Sequence, residues 1–198
     1  MIHGDLGQPR LGVDEGAWER LQDTVDTVLH VDVNVNFLSR YPQLSPSNVE
    51  ATRQLIDFCS LGIPKAFHYV SSLVAKKTDH LDSQNLDRQI KLRNLSALGC
   101  DGYVMTKVAS ERLLHGAARA GLPVRIYRLD DVLPSLRSGC VKRRSLIHLF
   151  FRNCAHHDVA PVGVGGINAV FVDDVAAFII SAVCRPLHRN RVCRRIRA

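Results

Sequence analysis

The sequence predicts a layered α/β domain with a mostly parallel sheet, and three observations carry that reading. Short apolar runs rich in β-branched residues alternate with longer amphipathic stretches. Gly and Pro punctuate the junctions between them, and no internal repeat or low-complexity linker interrupts the 198 residues.

Taken in order, VDTVLHV (25–31) is the first strand candidate. NVEATRQLIDFCSLG (48–62) has helical periodicity and stops at Gly62, ahead of Pro64. AFHYVSS (66–72) is the second strand candidate, and 76–101, rich in Asp, Asn, Gln, Lys and Arg, reads as a surface excursion. GYVMTKVASERLLHGAARAG (102–121) is a long helix ending at Gly121 before Pro123, followed by the strand VRIYRL (124–129). The glycine-rich PVGVGG (161–166) enters a fourth strand, AVFV (169–172). The helix DDVAAFIISAVC (173–184) then opens with two acids that suit its positive N-terminal dipole.

With 46% hydrophobic and 23% charged residues, the chain has the balance of one globular domain with a true core. It holds no run of 18 apolar residues, and MIHGDLGQPR lacks the apolar stretch of a signal peptide, so the expected location is cytoplasmic with no membrane partner. Six cysteines without a CxxC pair fit reduced thiols. The cluster CAHHD (154–158) matches no zinc spacing, and no metal is expected. Of the net charge of +7, six units are the arginines of 185–198, a stretch without acids, which leaves the body at +1. A basic tail of this kind can bind phosphates or membranes, but the reading taken is a solvated terminus, with nucleic acid not an expected partner.

Chemistry concentrates in GYVMTKVASERLL. Tyr103 and Lys107 stand four apart, on one helix face with a rise of about 6 Å between them. A phenol titrates near 10 unaided, and an adjacent ammonium favours its ionised form, which brings it closer to proton transfer at neutral pH. Thirty-one residues before Tyr103, Ser72 closes the strand AFHYVSS, at the end where open α/β sheets form their crevices. Alone, Ser71 and Ser72 are strand-capping serines. With Tyr103 and Lys107 following, Ser72 becomes a candidate catalytic hydroxyl.

A strand-end hydroxyl followed by Tyr-x-x-x-Lys resembles the extended short-chain dehydrogenase/reductases. The segments GDLGQPRLGVDEGAWERL, VDTVLHVDVNVNF, YPQLSPSNVEATRQLIDF, GIPKAFHYVSS, GYVMTKVASERLL and FVDDVA keep the order seen in thioester reductase domains of carboxylic acid reductases, α-aminoadipate reductase and synthetase-like enzymes. The resemblance implies NAD(P)H-dependent reduction of an acyl thioester, carried on the phosphopantetheine arm of a carrier domain, to an aldehyde, with NADPH as the expected cofactor. It implies Ser72 on the thioester carbonyl, Tyr103 as proton donor and Lys107 on the nicotinamide ribose. Asp5 and Leu6 would lie at the adenine side, with His30, Val31 and Asp32 in the turn beneath phosphates and ribose. Asn48 matches the Asn that starts the family's NV helix and would be a further cofactor-binding residue, with an ordinary N-cap as the other reading. The implied fold is a partial Rossmann-like, doubly wound parallel sheet over 1–184, with small C-terminal substrate-side elements and the basic tail 185–198.

Departures from the family set further expectations. Neither GDLGQPRLG nor PVGVGG has the spacing of a GxGxxG turn between strand and helix, so the first strands and the pyrophosphate-binding turn are expected to be absent. The strand 25–31 should then expose an edge open to self-association. Leu129 and Asp130 stand where the family has a Pro-Gly turn, VKRRSLIHLF replaces an acidic stretch, and Asp32 adds negative charge near the phosphates. An impaired reductase is one outcome. Another extended reductase or epimerase acting on a small carbonyl or nucleotide sugar, and a remnant acting by contacts alone, are the alternatives.

Overall fold

The computed structural model describes residues 1–78, 102–143, 145–160, 162, 168–185 and 193–195. The excursion past residue 78 and most of PVGVGG lie outside them. The chain divides into two compact units, one of residues 1–128 with 186–194, the other of 129–185 with 195–198.

The first unit opens with helix α1 (Glu15–Thr24), started by Asp14, whose carboxylate accepts the Ala17 amide at 2.9 Å. Strand β1 (Thr27–His30) follows. Helix α2 (Tyr41–Ser45) then runs through a π turn (Pro46–Glu50) into α3 (Ala51–Cys59). The helix predicted at 48–62 therefore begins earlier, with the Gln43 side chain accepting the Arg40 amide at 2.7 Å ahead of it. It also ends earlier, with Gly62 at φ +66° and its Cα face against the Gln22 carbonyl.

Strand β2 (Ala66–Ser72) pairs in parallel with β1, from Thr27 opposite Ala66 to His30 opposite Tyr69. The long helix α4 (Gly102–Arg119) leads to β3 (Val124–Leu129), and the sheet order is β1-β2-β3-β6, with β6 the short Cys193–Arg195. A terminus with no apolar periodicity thus still supplies a backbone strand at the edge. At the opposite edge, β1 leaves Leu29 41% exposed.

Between α1, α3, α4 and the sheet lies a core of Phe58, Phe67, Tyr69, Leu114, Val124 and Ile126, on which Trp18 packs edge-on to Phe58 at 4.8 Å. Each such side chain contributes about 2 kcal/mol by leaving water. Lys65 of the GIPKAF segment is buried as well. Its ammonium donates to the carbonyls of Gln22, Leu61 and Ile63 at 2.7–2.9 Å, closing the C-terminal end of α3. A second cluster joins Tyr41 and Val49 to Val104, Met105, Val108 and Ala109 of α4.

The second unit holds β4 (Asp131–Leu133), α5 (Leu146–His157), β5 (Ala169–Phe171) and α6 (Val172–Val183). The strand predicted at 169–172 forms, but pairs in parallel with β4 in a separate two-stranded sheet. The residues of SLIHLF and CAHH form one helix, capped by Ser145 accepting the His148 amide. Among the described residues, no group of three His, Cys, Asp or Glu is arranged to hold a metal, and no helix is long and apolar enough to cross a membrane.

Two expectations follow from this packing. Gly102 starts α4 against a passing backbone, and an added Cβ would stand 2.3 Å from the Ser39 carbonyl oxygen and 2.6 Å from the Tyr41 nitrogen. Gly102→Ala should therefore destabilise the chain by about 3 kcal/mol, the upper range of overpacking costs. An unchanged denaturant midpoint would contradict that placement. The second concerns His68, whose Nδ1 lies 2.6 Å from the Tyr127 hydroxyl in a stacked pair. Burial, and after it the Arg125 charge, pushes its pKa down to about 4. The unfolded imidazole takes up its proton near the ordinary value of about 6.5, so protons bind the unfolded chain first. Stability should fall as pH drops from 6.5 towards 4. In urea titrations across that window, His68→Gln should show a shallower fall than the parent.

Candidate active site

The site grows from the N-terminal half of α4, where every residue from Gly102 to Glu111 is buried. Because this stretch carries Thr106, Lys107, Ser110 and Glu111 among its apolar residues, burial obliges each to find a polar partner.

Lys107 is 2% exposed, and its ammonium donates to the Val70 carbonyl at 2.9 Å and to the Tyr69 hydroxyl at 3.4 Å. It also sits over the rings of Tyr69 and Tyr103, at 4.8 and 5.9 Å from their centroids. Burial pushes its pKa down to about 7, against which the Glu111 charge works upward. One turn earlier, buried Tyr103 receives the edge of Phe37 at a centroid distance of 5.1 Å. The spacing of Tyr103 and Lys107 thus brings them into one neighbourhood as the sequence predicts.

The structure corrects one of the two sequence readings of Asn48. It lies inside the π turn, so it is not an N-cap, and it is 1% exposed. Its carboxamide accepts the Asn34 amide at 2.8 Å, donates to the Asn34 carbonyl at 3.1 Å, and donates to Thr106 Oγ1 at 3.1 Å. It therefore ties the segment after β1 to the residue beside Lys107. The Asn48 carbonyl in turn accepts Thr52 Oγ1 at 2.7 Å and Ser110 Oγ at 3.2 Å, which satisfies a group displaced by the π turn.

His30 ends β1, with its ring 5.4 Å from that of Tyr69. Its buried Nε2 has no hydrogen-bond partner among the described residues. Burial, followed by the Lys107 charge, pushes its pKa down to about 4, so the ring is neutral at physiological pH. Val31 and Asp32 lie exposed just beyond it.

The two serines of β2 part company. Ser71 donates to Glu111 at 2.5 Å inside the protein, while Ser72, at the strand end, accepts the Val74 amide at 3.4 Å. Asp5 accepts the Gly7 amide at 2.8 Å, and its own amide donates to the Leu11 carbonyl at 2.7 Å, closing the N-terminal turn that also holds Leu6. The described hydrogen bonds do not link that turn to Tyr103 or Lys107.

Sequence reasoning missed Tyr69, Thr106 and the pair Glu111–Arg128. Glu111 carries a signal, since it continues the four-residue stripe Tyr103, Lys107, Glu111.

A nicotinamide cofactor suits two features here. Lys107 has three donors, of which two are described as engaged, and the orphaned His30 Nε2 is an atom that a ligand's hydroxyl would satisfy.

The solved terminal R domain of the myxalamid PKS-NRPS pathway has the same fold at a TM-score of 0.83 and 27% identity, covering all of this chain and 51% of that one. The L-2-aminoadipate reductase large subunit of Penicillium chrysogenum is 29% identical over 196 residues, which are 93% of this chain and 14% of the relative. The polyketide synthase-nonribosomal peptide synthetase phmA of Phaeosphaeria nodorum is 31% identical over 183 residues, 91% of this chain and 4% of the relative. The chain thus spans about half of the R domain and a small share of the curated relatives it matches. The family model NAD_binding_4, described as male sterility protein, matches residues 1–179, and the chain belongs to that NAD-binding family.

Proposed function

We propose that this chain carries the catalytic half of a reductase that releases a carrier-bound acyl thioester as an aldehyde, with NADPH as the hydride donor. The observation that carries the reading is the buried Lys107 ammonium, held by Val70 and Tyr69 against the ring of Tyr103 on the crevice end of a parallel sheet. The comparisons support it through a reductase and a synthetase, each far longer than the match.

When bound, the nicotinamide cofactor supplies the hydride that the thioester carbonyl carbon receives. Ser72 Oγ donates to the carbonyl oxygen, and Tyr103 gives that oxygen its proton as charge develops there. The resulting thiohemiacetal collapses to aldehyde and free thiol. Lys107 orients the ribose through its remaining donor and, as a cation, favours proton release from the neighbouring phenol. His30 offers Nε2 to a ribose or phosphate group, Asn48 keeps the segment 31–34 in place, and Asp5 and Leu6 stand at the adenine side. Asp32, exposed on that segment, opposes a phosphate there by like charge. The partner is an acyl-phosphopantetheinyl carrier domain.

NADPH consumption with an acyl-pantetheine thioester tests the reading in a protein that contains this chain. Tyr103→Phe should lower the rate by about 10² or more, with folding retained. Equal rates for the parent and Tyr103→Phe would remove Tyr103 from the mechanism. The exposed β1 edge supports a second expectation, that the isolated chain self-associates. Light scattering should show mass rising with concentration, and a monomer at every concentration would refute it.

A further inference from the structure

Glu111 is 4% exposed and completely engaged. Arg128 of β3 reaches it with Nη2 at 2.6 Å and with Nε at 3.1 Å to each carboxylate oxygen, and Ser71 of β2 donates to it at 2.5 Å. Residues 69, 70 and 71 of β2 thus meet Lys107 and then Glu111, one helical turn apart. A tie between helix and strand could be made by apolar residues at no loss of stability. What an apolar residue cannot supply is a fixed negative charge one turn from a buried ammonium.

The titratable groups that face Lys107 are Tyr69 from β2, His30 from β1, and Tyr103 and Glu111 from α4. Burial and neighbouring charges raise the Tyr69 pKa, His30 is neutral, and Glu111 is the carboxylate of the set. Glu111 itself faces the cation Arg128, and His115 on its own helix feels its charge.

We propose that Glu111 is a positioning residue for the Tyr103–Lys107 pair: clamped by Arg128 and Ser71, it is the counter-charge that keeps the Lys107 ammonium protonated, and it sets the pH range in which the pair works. This rests on the reductase reading for its consequence in turnover; the effect on Lys107 rests on the four-residue spacing along one buried helix and on the clamp that fixes the carboxylate there. Burial draws the Lys107 midpoint down to about 7 even with the Glu111 charge working upward, so removing that charge should lower it further.

The decisive measurement is the proton affinity of Lys107 itself, read from its side-chain nitrogen by NMR across pH in the parent, Glu111→Gln and Glu111→Asp. Glu111→Gln should lower the Lys107 midpoint by about one unit, a tenfold loss of proton affinity, and Glu111→Asp should restore most of it. The alkaline limb of thioester-dependent NADPH consumption should move down by the same amount, which a purely structural tie would not cause. If Glu111→Gln fails to fold, Arg128→Gln carries the test with the opposite sign, since it removes a cation and leaves the anion, and the Lys107 midpoint should rise. A midpoint that stays in place in the folded variant overturns the proposal. A shifted midpoint in a protein that turns over no thioester supports the electrostatic role of Glu111 and refutes the reductase reading instead.

Discussion

The burial of the first ten residues of α4 is the constraint on which the rest of the first unit depends. A helix sunk on all sides is ordinarily apolar all round. Beside the Tyr103 phenol, this one carries the hydroxyls of Thr106 and Ser110, an ammonium and a carboxylate, and at the last four its surroundings are polar at matched points. Asn48 answers Thr106, the β2 backbone answers Lys107, Thr52 and the Asn48 carbonyl answer Ser110, and Ser71 with Arg128 answers Glu111. The partners come from the π turn, α3, β2 and β3, so satisfying one helix fixes the relative placement of four other elements.

The same constraint explains the division between rigid and adaptable parts of the site. Groups on the helix are held by direct hydrogen bonds to regular structure, where a shift of one partner leaves a buried polar atom unpaired at a cost of about 1–3 kcal/mol. Phe37, by contrast, meets the Tyr103 ring in a T-shaped contact and remains partly exposed, in a segment without regular structure. The titratable groups of α4 thus lie on the hydrogen-bonded side, and the Phe37 ring contact on the irregular side.

How much of this was legible depends on the range of each interaction. The strands 27–30, 66–72 and 124–129 are readable because β-branched runs report burial locally, and the Tyr103–Lys107 spacing is readable because helical geometry is local too. Asn48 was not, since its partners lie 14 and 58 residues away and nothing nearby distinguishes it from a cap. The pairing of β5 with β4 was missed for the same reason: the partner strand is three residues long, beside Leu129 and Asp130, which looked like a departed turn. Helix α5 was hidden by basic and aromatic residues that carry little periodic burial, with Ile147 as its buried residue.

The clamp of Asn48 on Asn34 has one more consequence. A carboxamide that both donates to and accepts from a single residue's backbone reproduces one rung of a β-ladder, a surrogate peptide supplied by a side chain. The segment after β1 therefore inherits its shape from a residue fourteen positions downstream and not from its own composition. Exposed Val31 and Asp32 stand between β1 and this clamp, so substitutions there should change charge and bulk on the segment while the Asn48–Asn34 rung keeps its anchor.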